Sequence, residues 1–375
     1  MLKYQGVTID GEAVELEVRN GRIASRRAIE RTSGLPRLFP GLVDLQHNGA
    51  LGHSYNNLAD RAEEELECMA GHLLRHGVVR VQATFTTADY AILETAARAI
   101  DKALTRNAQL ASLFPGIFHE GVFISPLEGW RGGHLPEYIL PPDWERFHRL
   151  DGLSGGRIRT VNLAPEQEGA LEFIRHAVEA GHIVALGHCT PDTETIHRAA
   201  DAGASMVTHF ANGAAPTIHR FHNPFWGFLA EKRLRLGLIG DGFHLPPEVV
   251  YTALACKGQD GCFMVSDANV YSGRPPGTYP RNGGLPCVVE PDGLFHVQGS
   301  REILAGAWFQ LDRCVEFLQT RCALPLEDAW RLCSIVPANI VGFDLPMLQE
   351  GNEATFVILQ NGKIQQTIFN GDVYA

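Results

Sequence analysis

The chain is marked first by what it lacks. It has eight cysteines in 375 residues, and none of them form a C-x-x-C pair. This argues against a zinc-ribbon or thioredoxin-like motif, and a disulfide framework is not expected in a chain of this length. The start, Met1-Leu2-Lys3-Tyr4-Gln5-Gly6, has no charged segment leading into an apolar stretch, so no signal peptide is expected. No apolar run approaches the length of a membrane span. Positive charge is also in short supply: 32 Lys and Arg against 43 Asp and Glu leave a formal net charge of -11, the wrong sign for a general nucleic-acid binder. These absences predict a cytoplasmic protein that engages neither nucleic acid nor membrane. The first strand-like run, Gly41-Leu42-Val43-Asp44, is not followed by a glycine-rich phosphate loop, which counts against an open doubly wound sheet.

What is present is 45% hydrophobic residues, enough for a well-filled core, in an alternation of strand and helix patterns. Strand-like runs lie at Leu42–Leu45, Val78–Val81, Gly116–His119, Thr160–Leu163, Ile183–Gly187, Met206–Thr208, Arg235–Ile239 and Cys262–Ser266. Helical patterns over 58–76, 88–106, 167–180, 192–202 and 246–256 lie between them. Three of these stop at Gly77, Gly181 and Gly203, where glycine can take the left-handed helix cap. Eight strands separated mainly by helices, with the helix–glycine–strand unit recurring, predict a (β/α)8 barrel of the TIM type over residues 39–345. Both ends read as short strands with Asp10-Gly11, Asn20-Gly21, Asn361-Gly362 and Asn370-Gly371 turns. Two lone ribbons would be marginal apart, so residues 1–38 and 346–375 are expected to form one small β-sandwich. Residues 268–300, with turn chemistry at Ser272–Gly277 and Asn282-Gly283-Gly284, read as a loop and small hairpin over the barrel mouth. Helices are expected near 302–320 and 326–334.

Four of the strand runs end in a chemically useful side chain: Glu120, His188, His209 and Asp267. Strand ends on one face of a barrel converge, which is how distant residues meet at one site. Two imidazoles and a carboxylate, Glu120, His188 and His209, suit one divalent cation and leave a position open for water. Such a cation lowers the pKa of that water and polarises a carbonyl. Asp267 is then placed to carry a proton from the water to a leaving amine. The combination is amide hydrolysis. The donor set suits zinc foremost, with iron, manganese or cobalt also compatible.

Phe39-Pro40-Gly41-Leu42-Val43-Asp44-Leu45-Gln46-His47-Asn48-Gly49 resembles the first-strand signature of the N-acetylglucosamine-6-phosphate deacetylases, in the amidohydrolase superfamily. Ordered matches follow: Glu120-Gly121, Ala164-Pro165-Glu166, Gly187-His188, Thr208-His209-Phe210-Ala211-Asn212, Asp241-Gly242-Phe243-His244, Ser266-Asp267-Ala268, Leu304-Ala305-Gly306 and Ser334-Ile335-Val336-Pro337-Ala338. The resemblance implies Glu120, His188 and His209 as metal ligands and Asp267 as catalytic acid/base. It implies Gln46 and Asn48 in place of the His-x-His of two-metal relatives, hence one metal. His47, between them, should face the other way and serve packing. Substrate contacts carry over to Gln46, His134, Asn212, Gly213, Arg220 and His244, part of the phosphate site being supplied by the second subunit of a homodimer. The implied reaction releases acetate from an N-acetyl amino-sugar 6-phosphate, N-acetylglucosamine 6-phosphate first. Another N-acyl sugar or small amide, or a non-catalytic sugar-phosphate sensor, are the alternatives. The chain departs from the family at Phe118-His119-Glu120, where the usual His-x-Glu histidine has moved one place, at Asn212-Gly213-Ala214 and at Asn269. These departures are expected to line the pocket and leave the chemistry in place.

Overall fold

The computed structural model describes residues 1–281 and 284–375; the turn reading at Asn282-Gly283 lies outside the described residues. All eight expected barrel strands are present, at Leu42–His47, Val78–Phe85, Gly116–His119, Ile158–Leu163, Ile183–Leu186, Met206–Val207, Arg235–Ile239 and Cys262–Val265. They pair in chain order, every neighbour parallel. The last strand meets the first just beyond its end. A parallel bridge joins His47 to Ala268, Asp267 N–H donates to the Gln46 carbonyl at 2.9 Å, and Asn48 N–H donates to the Ala268 carbonyl at 2.9 Å. The result is a nearly closed barrel, and the closing bonds involve residues of the candidate site itself.

Alternation along the strands fills two cores. Val43, Leu45, Phe118, Ala185, Met206, Ile239 and Phe263 cluster with one another in the barrel interior. Leu42, Val79, Ile117, Leu186 and Leu238 belong to the larger core shared with the surrounding helices. The interior void beneath Gln46 and His209 is only about 10 Å³, so the barrel interior is a packed core. Helices Ala62–Arg75, Tyr90–Arg106, Ala170–Glu179, Thr193–Asp201 and Pro247–Lys257 return the chain between strands. The first ends as its sequence predicts. Gly77 takes φ +78°, and its N–H donates to the Leu74 carbonyl at 3.1 Å.

Both termini build one seven-stranded mixed sheet. Its order is Asp372–Tyr374, Lys363–Phe369, Phe356–Gln360, Arg37–Phe39, Leu2–Thr8, Ala13–Arg19 and Arg22–Ala28. The sheet curls until its two halves touch at an Arg22–Glu353 bridge, enclosing Val14, Leu16, Ile23, Leu38, Phe356 and Ile368. The segment after the barrel's last strand is more ordered than its composition predicts. Gly277–Tyr279, Cys287–Val289, Phe295–Val297 and Ser300–Leu304 form a four-stranded antiparallel sheet. The helix expected near 302–320 therefore starts only at Leu311. Residues 300–304 contain good helix formers, but pairing with Phe295–Val297 overrides local preference. No helix of the described residues is long and apolar enough to cross a membrane.

Candidate metal centre

Glu120 directly follows the third barrel strand, His188 and His209 lie two residues past the fifth and sixth, and the barrel brings their side chains into contact. His209 Nε2 lies 3.0 Å from Glu120 Oε1 and 3.0 Å from His188 Nε2. The third side, His188 Nε2 to Glu120 Oε1, is 3.4 Å. All three residues are buried. A fourth donor adjoins them: Glu120, His134 and His188 offer ligand atoms that all lie within 4.8 Å of one another. His134, expected among the substrate contacts, thus also reaches the donor cluster.

The donor set fits a divalent cation on its own chemistry. Glu120 has only these imidazoles as ion-pair partners among the described residues. Asp267 adds a second buried carboxyl close by. Buried negative charge of this density, with nitrogen lone pairs turned toward it, calls for a cation. The far nitrogen of His188, Nδ1, is hydrogen-bonded to the Trp130 carbonyl at 3.1 Å, which fixes the ring and leaves Nε2 facing Glu120. Gly132 and Gly213 flank that ring. A side chain on Gly213 would lie 2.5 Å from His188 Nδ1, so only glycine allows this approach.

The two carboxyl groups are driven apart electrostatically. Burial alone would raise Glu120, but hydrogen bonds from His188 and His209 outweigh it and hold the group below the usual carboxylate range. Burial and the charge of Glu120 push Asp267 up to about 6. Burial opposes protonation of His209, yet Glu120 and Asp267 together raise it, whereas His188 is lowered by burial. Burial and the neighbouring His188 lower His134 to about 3. Paired groups pushed in opposite directions mark an acid/base site.

Two amides tie the carboxyls together. Gln46 Nε2 donates to Glu120 Oε1 at 2.8 Å and to Asp267 Oδ1 at 3.2 Å. Asn48 Nδ2 donates to Asp267 Oδ1 at 2.7 Å. In the sequence Asn48 stood out only as the second half of a replaced His-x-His. Its two-residue offset from Gln46 put it on the same strand face, a signal that it too would meet Asp267. His47, between them, faces away, with Nδ1 2.8 Å from the Tyr55 hydroxyl and the ring fully buried. Thr87, absent from the sequence reading, holds His134 through a 2.7 Å contact to Nδ1. The shifted histidine of Phe118-His119-Glu120 packs behind the strand among Tyr90, Phe123 and Phe147.

The remaining expected substrate residues divide. His244 lies beyond the seventh barrel strand, and its Nδ1–H donates to Asp241 Oδ2 at 2.7 Å. Asn212 and Gly213 sit on the turn just after His209, with Asn212 N–H donating to the His209 carbonyl at 2.9 Å. Arg220 is not brought to this cluster. It is exposed, its guanidinium lying 5.6 Å from the ring centroid of Phe221.

No family model matches the chain. An N-acetylgalactosamine-6-phosphate deacetylase of Escherichia coli O157:H7 is 29% identical over 367 residues, covering 96% of this chain and 94% of the relative. An N-acetylglucosamine-6-phosphate deacetylase of Lysinibacillus sphaericus is 27% identical over 372 residues, covering 96% and 93%. Among solved structures, an aspartate-to-alanine variant of the N-acetyl-D-glucosamine-6-phosphate deacetylase of Mycobacterium smegmatis, in complex with N-acetyl-D-glucosamine-6-phosphate, superposes with a TM-score of 0.86 at 25% identity, covering 100% of both chains. A parallel barrel with carboxylate and imidazole donors gathered at its mouth, in this company, defines a metal-dependent enzyme of the amidohydrolase superfamily. Within it, the chain is similar over nearly its whole length to N-acetylgalactosamine-6-phosphate and N-acetylglucosamine-6-phosphate deacetylases.

Proposed function

We propose that the protein hydrolyses the acetamide of N-acetylglucosamine 6-phosphate, giving acetate and glucosamine 6-phosphate, with Glu120, His188 and His209 as ligands of one divalent cation, zinc foremost, with iron, manganese or cobalt also compatible. The observation that carries this reading is the hydrogen-bonded line Glu120–Gln46–Asp267–Asn48, which holds a carboxyl of raised pKa against the donor cluster. A cation bound there would polarise the acetyl carbonyl and make a water nucleophilic near neutral pH. Asp267 takes a proton from the attacking water and delivers it to the amine nitrogen as the C–N bond breaks. The Gln46 and Asn48 amides keep the Asp267 carboxylate aimed through both transfers. His134, steadied by Thr87, lies beside the cluster, positioned to support the developing oxyanion.

For the sugar phosphate, His244 is held by Asp241, and the Asn212-Gly213 turn presents an amide and a backbone N–H beside His188. Arg220 completes the phosphate site of the second subunit in a homodimer. In support, Arg220 lies away from its own chain's cluster, on a segment where Phe221 and Trp226 are 70% and 54% exposed. The E. coli relative favours a second reading, in which the sugar is N-acetylgalactosamine 6-phosphate. The two sugars differ at one hydroxyl, and kcat/KM measured for both decides between them. The central test is acetate release from N-acetylglucosamine 6-phosphate by metal-loaded protein. Absence of turnover, or full turnover by Asp267→Asn, would sink the proposal. Mixing inactive Arg220→Ala and Asp267→Asn chains tests the shared site: partial recovery is expected from hybrid dimers, and no recovery rejects it.

A further inference from the structure

We propose that Asn162 is a positioning residue for the cation site, one buried amide that locks together the three strand ends carrying Glu120, His188 and His209. The inference rests on the metal reading above. Asn162 lies on the fourth barrel strand between Val161 and Leu163 and is fully buried. An amide in such surroundings is destabilising unless its hydrogen bonds are made. Here they are made to the ligand segments. Nδ2 donates to the carbonyl of Glu120 at 2.8 Å and to that of Gly187, the residue before His188, at 3.3 Å. Oδ1 accepts from the hydroxyl of Thr208, the residue before His209, at 2.8 Å.

The side chain thus touches all three ligand-bearing segments and none of the donor atoms. Gly187 makes the approach possible, since a Cβ there would lie 2.7 Å from Asn162 Oδ1 and 2.6 Å from Thr208 Cβ. What the amide holds in place is strained. His188 and His209 have φ of +50° and +26°, a region that L-residues with side chains avoid. Such conformations persist only where the surroundings over-determine them. The anchor also explains why the strand bearing no ligand, between the strands of Glu120 and His188, carries an amide at its end. The general role is that of groups behind metal ligands, whose loss weakens metal binding without removing a ligand.

The experiment is titration of metal-free protein with Co²⁺, read by its visible absorption bands, alongside thermal unfolding. Removing a supporting group of this kind weakens metal binding about 10- to 100-fold, and that loss, with altered bands, is expected for Asn162→Ala. Thr208→Val, which keeps shape and removes only the hydroxyl, should shift affinity in the same direction by less. Thr208→Ser should behave as wild type. A purely structural role would lower the melting temperature and leave the Co²⁺ affinity and bands of the folded variant unchanged, and that result would overturn the proposal. If Asn162→Ala does not fold, the Thr208 pair decides, and equal affinity of the Val and Ser variants overturns it. Wild-type protein that takes up no Co²⁺ would overturn the metal reading and this inference with it. Uptake by wild type with unchanged affinity in the folded variants overturns the inference alone.

Discussion

The curled sheet of the termini and the mouth of the barrel both contain backbone at positive φ, and they fill it with different residues. In the terminal sheet the positions are Asn20, Asn361 and Asn370, at φ of +49° to +53°, each followed by a glycine. Asn-Gly is the pair that a two-residue hairpin turn asks for, because asparagine and glycine enter the left-handed region at little cost. At the mouth the positions are Val122, His188, His209, Ala211 and Asp267. None of these is a turn residue by preference, and Val122, at +122°, is β-branched. The same torsion is a folding device in one region and a positioning device in the other. In the mouth the conformation aims donor atoms at one point, and the packing and hydrogen bonds around it supply the stabilisation that the residues themselves do not.

Substitutions in the two regions should therefore have different consequences. The largest effect is expected at Asp267: Asp267→Asn keeps the bonding shape and removes the proton carrier, and acetate release should fall by about 10²- to 10⁴-fold with Kd for the sugar phosphate little changed. Chelation should abolish turnover, and Zn²⁺, Mn²⁺ or Co²⁺ should restore it; unaltered turnover in chelator would contradict the donor-set reading. Gly213→Ala comes next. It adds a methyl against His188 at a position with φ +57°, and the misplaced ring should reduce kcat/KM by about 10²-fold, while the melting temperature moves by only a few degrees.

A smaller effect concerns pH and stability. Burial lowers His47 to about 3 and His72 to about 4, below the value near 6.5 that they take in an unfolded chain. The unfolded state therefore binds these protons first. The stabilisation is complete above pH 6.5 and is lost as pH falls toward the folded-state values, by about 1.4 kcal/mol per pH unit for each histidine. Denaturant midpoints between pH 4.5 and 6.5 should rise with pH, and His72→Gln should flatten that rise. The smallest effect belongs to the terminal turns. Asn361→Ala should destabilise by about 1 kcal/mol and leave acetate release untouched, and a kinetic effect there would erase the distinction between the two regions.

Much of this was legible in the primary structure because it is local. Strand periodicity, helix-ending glycines and Asn-Gly turns depend on near neighbours, so the eight barrel strands and the pooled termini could be read directly. Glu120, His188, His209 and Asp267 were visible as polar residues ending apolar runs. Segments governed by distant pairing were not. Residues 302–304 read as the start of a helix because their strand partner is set by the fold of the whole insert. Asn162 read as one residue of a strand, since nothing near it in the chain shows that its amide would meet the Glu120, Gly187 and Thr208 segments. Thr87 was silent for the same reason.

The amino-acid order by itself determined the repeating strand–helix unit, the turn chemistry and the identity of the side chains at the strand ends. Only the tertiary structure decided how those side chains meet: that Gln46 bridges Glu120 and Asp267, that Asn48 joins them, that His134 enters the cluster, and that Arg220 remains outside. The physical reason is closure. Propensity and periodicity act over a few residues, whereas a barrel mouth is assembled by hydrogen bonds between residues far apart in the chain, such as that from Gln46 to Asp267, 221 positions away.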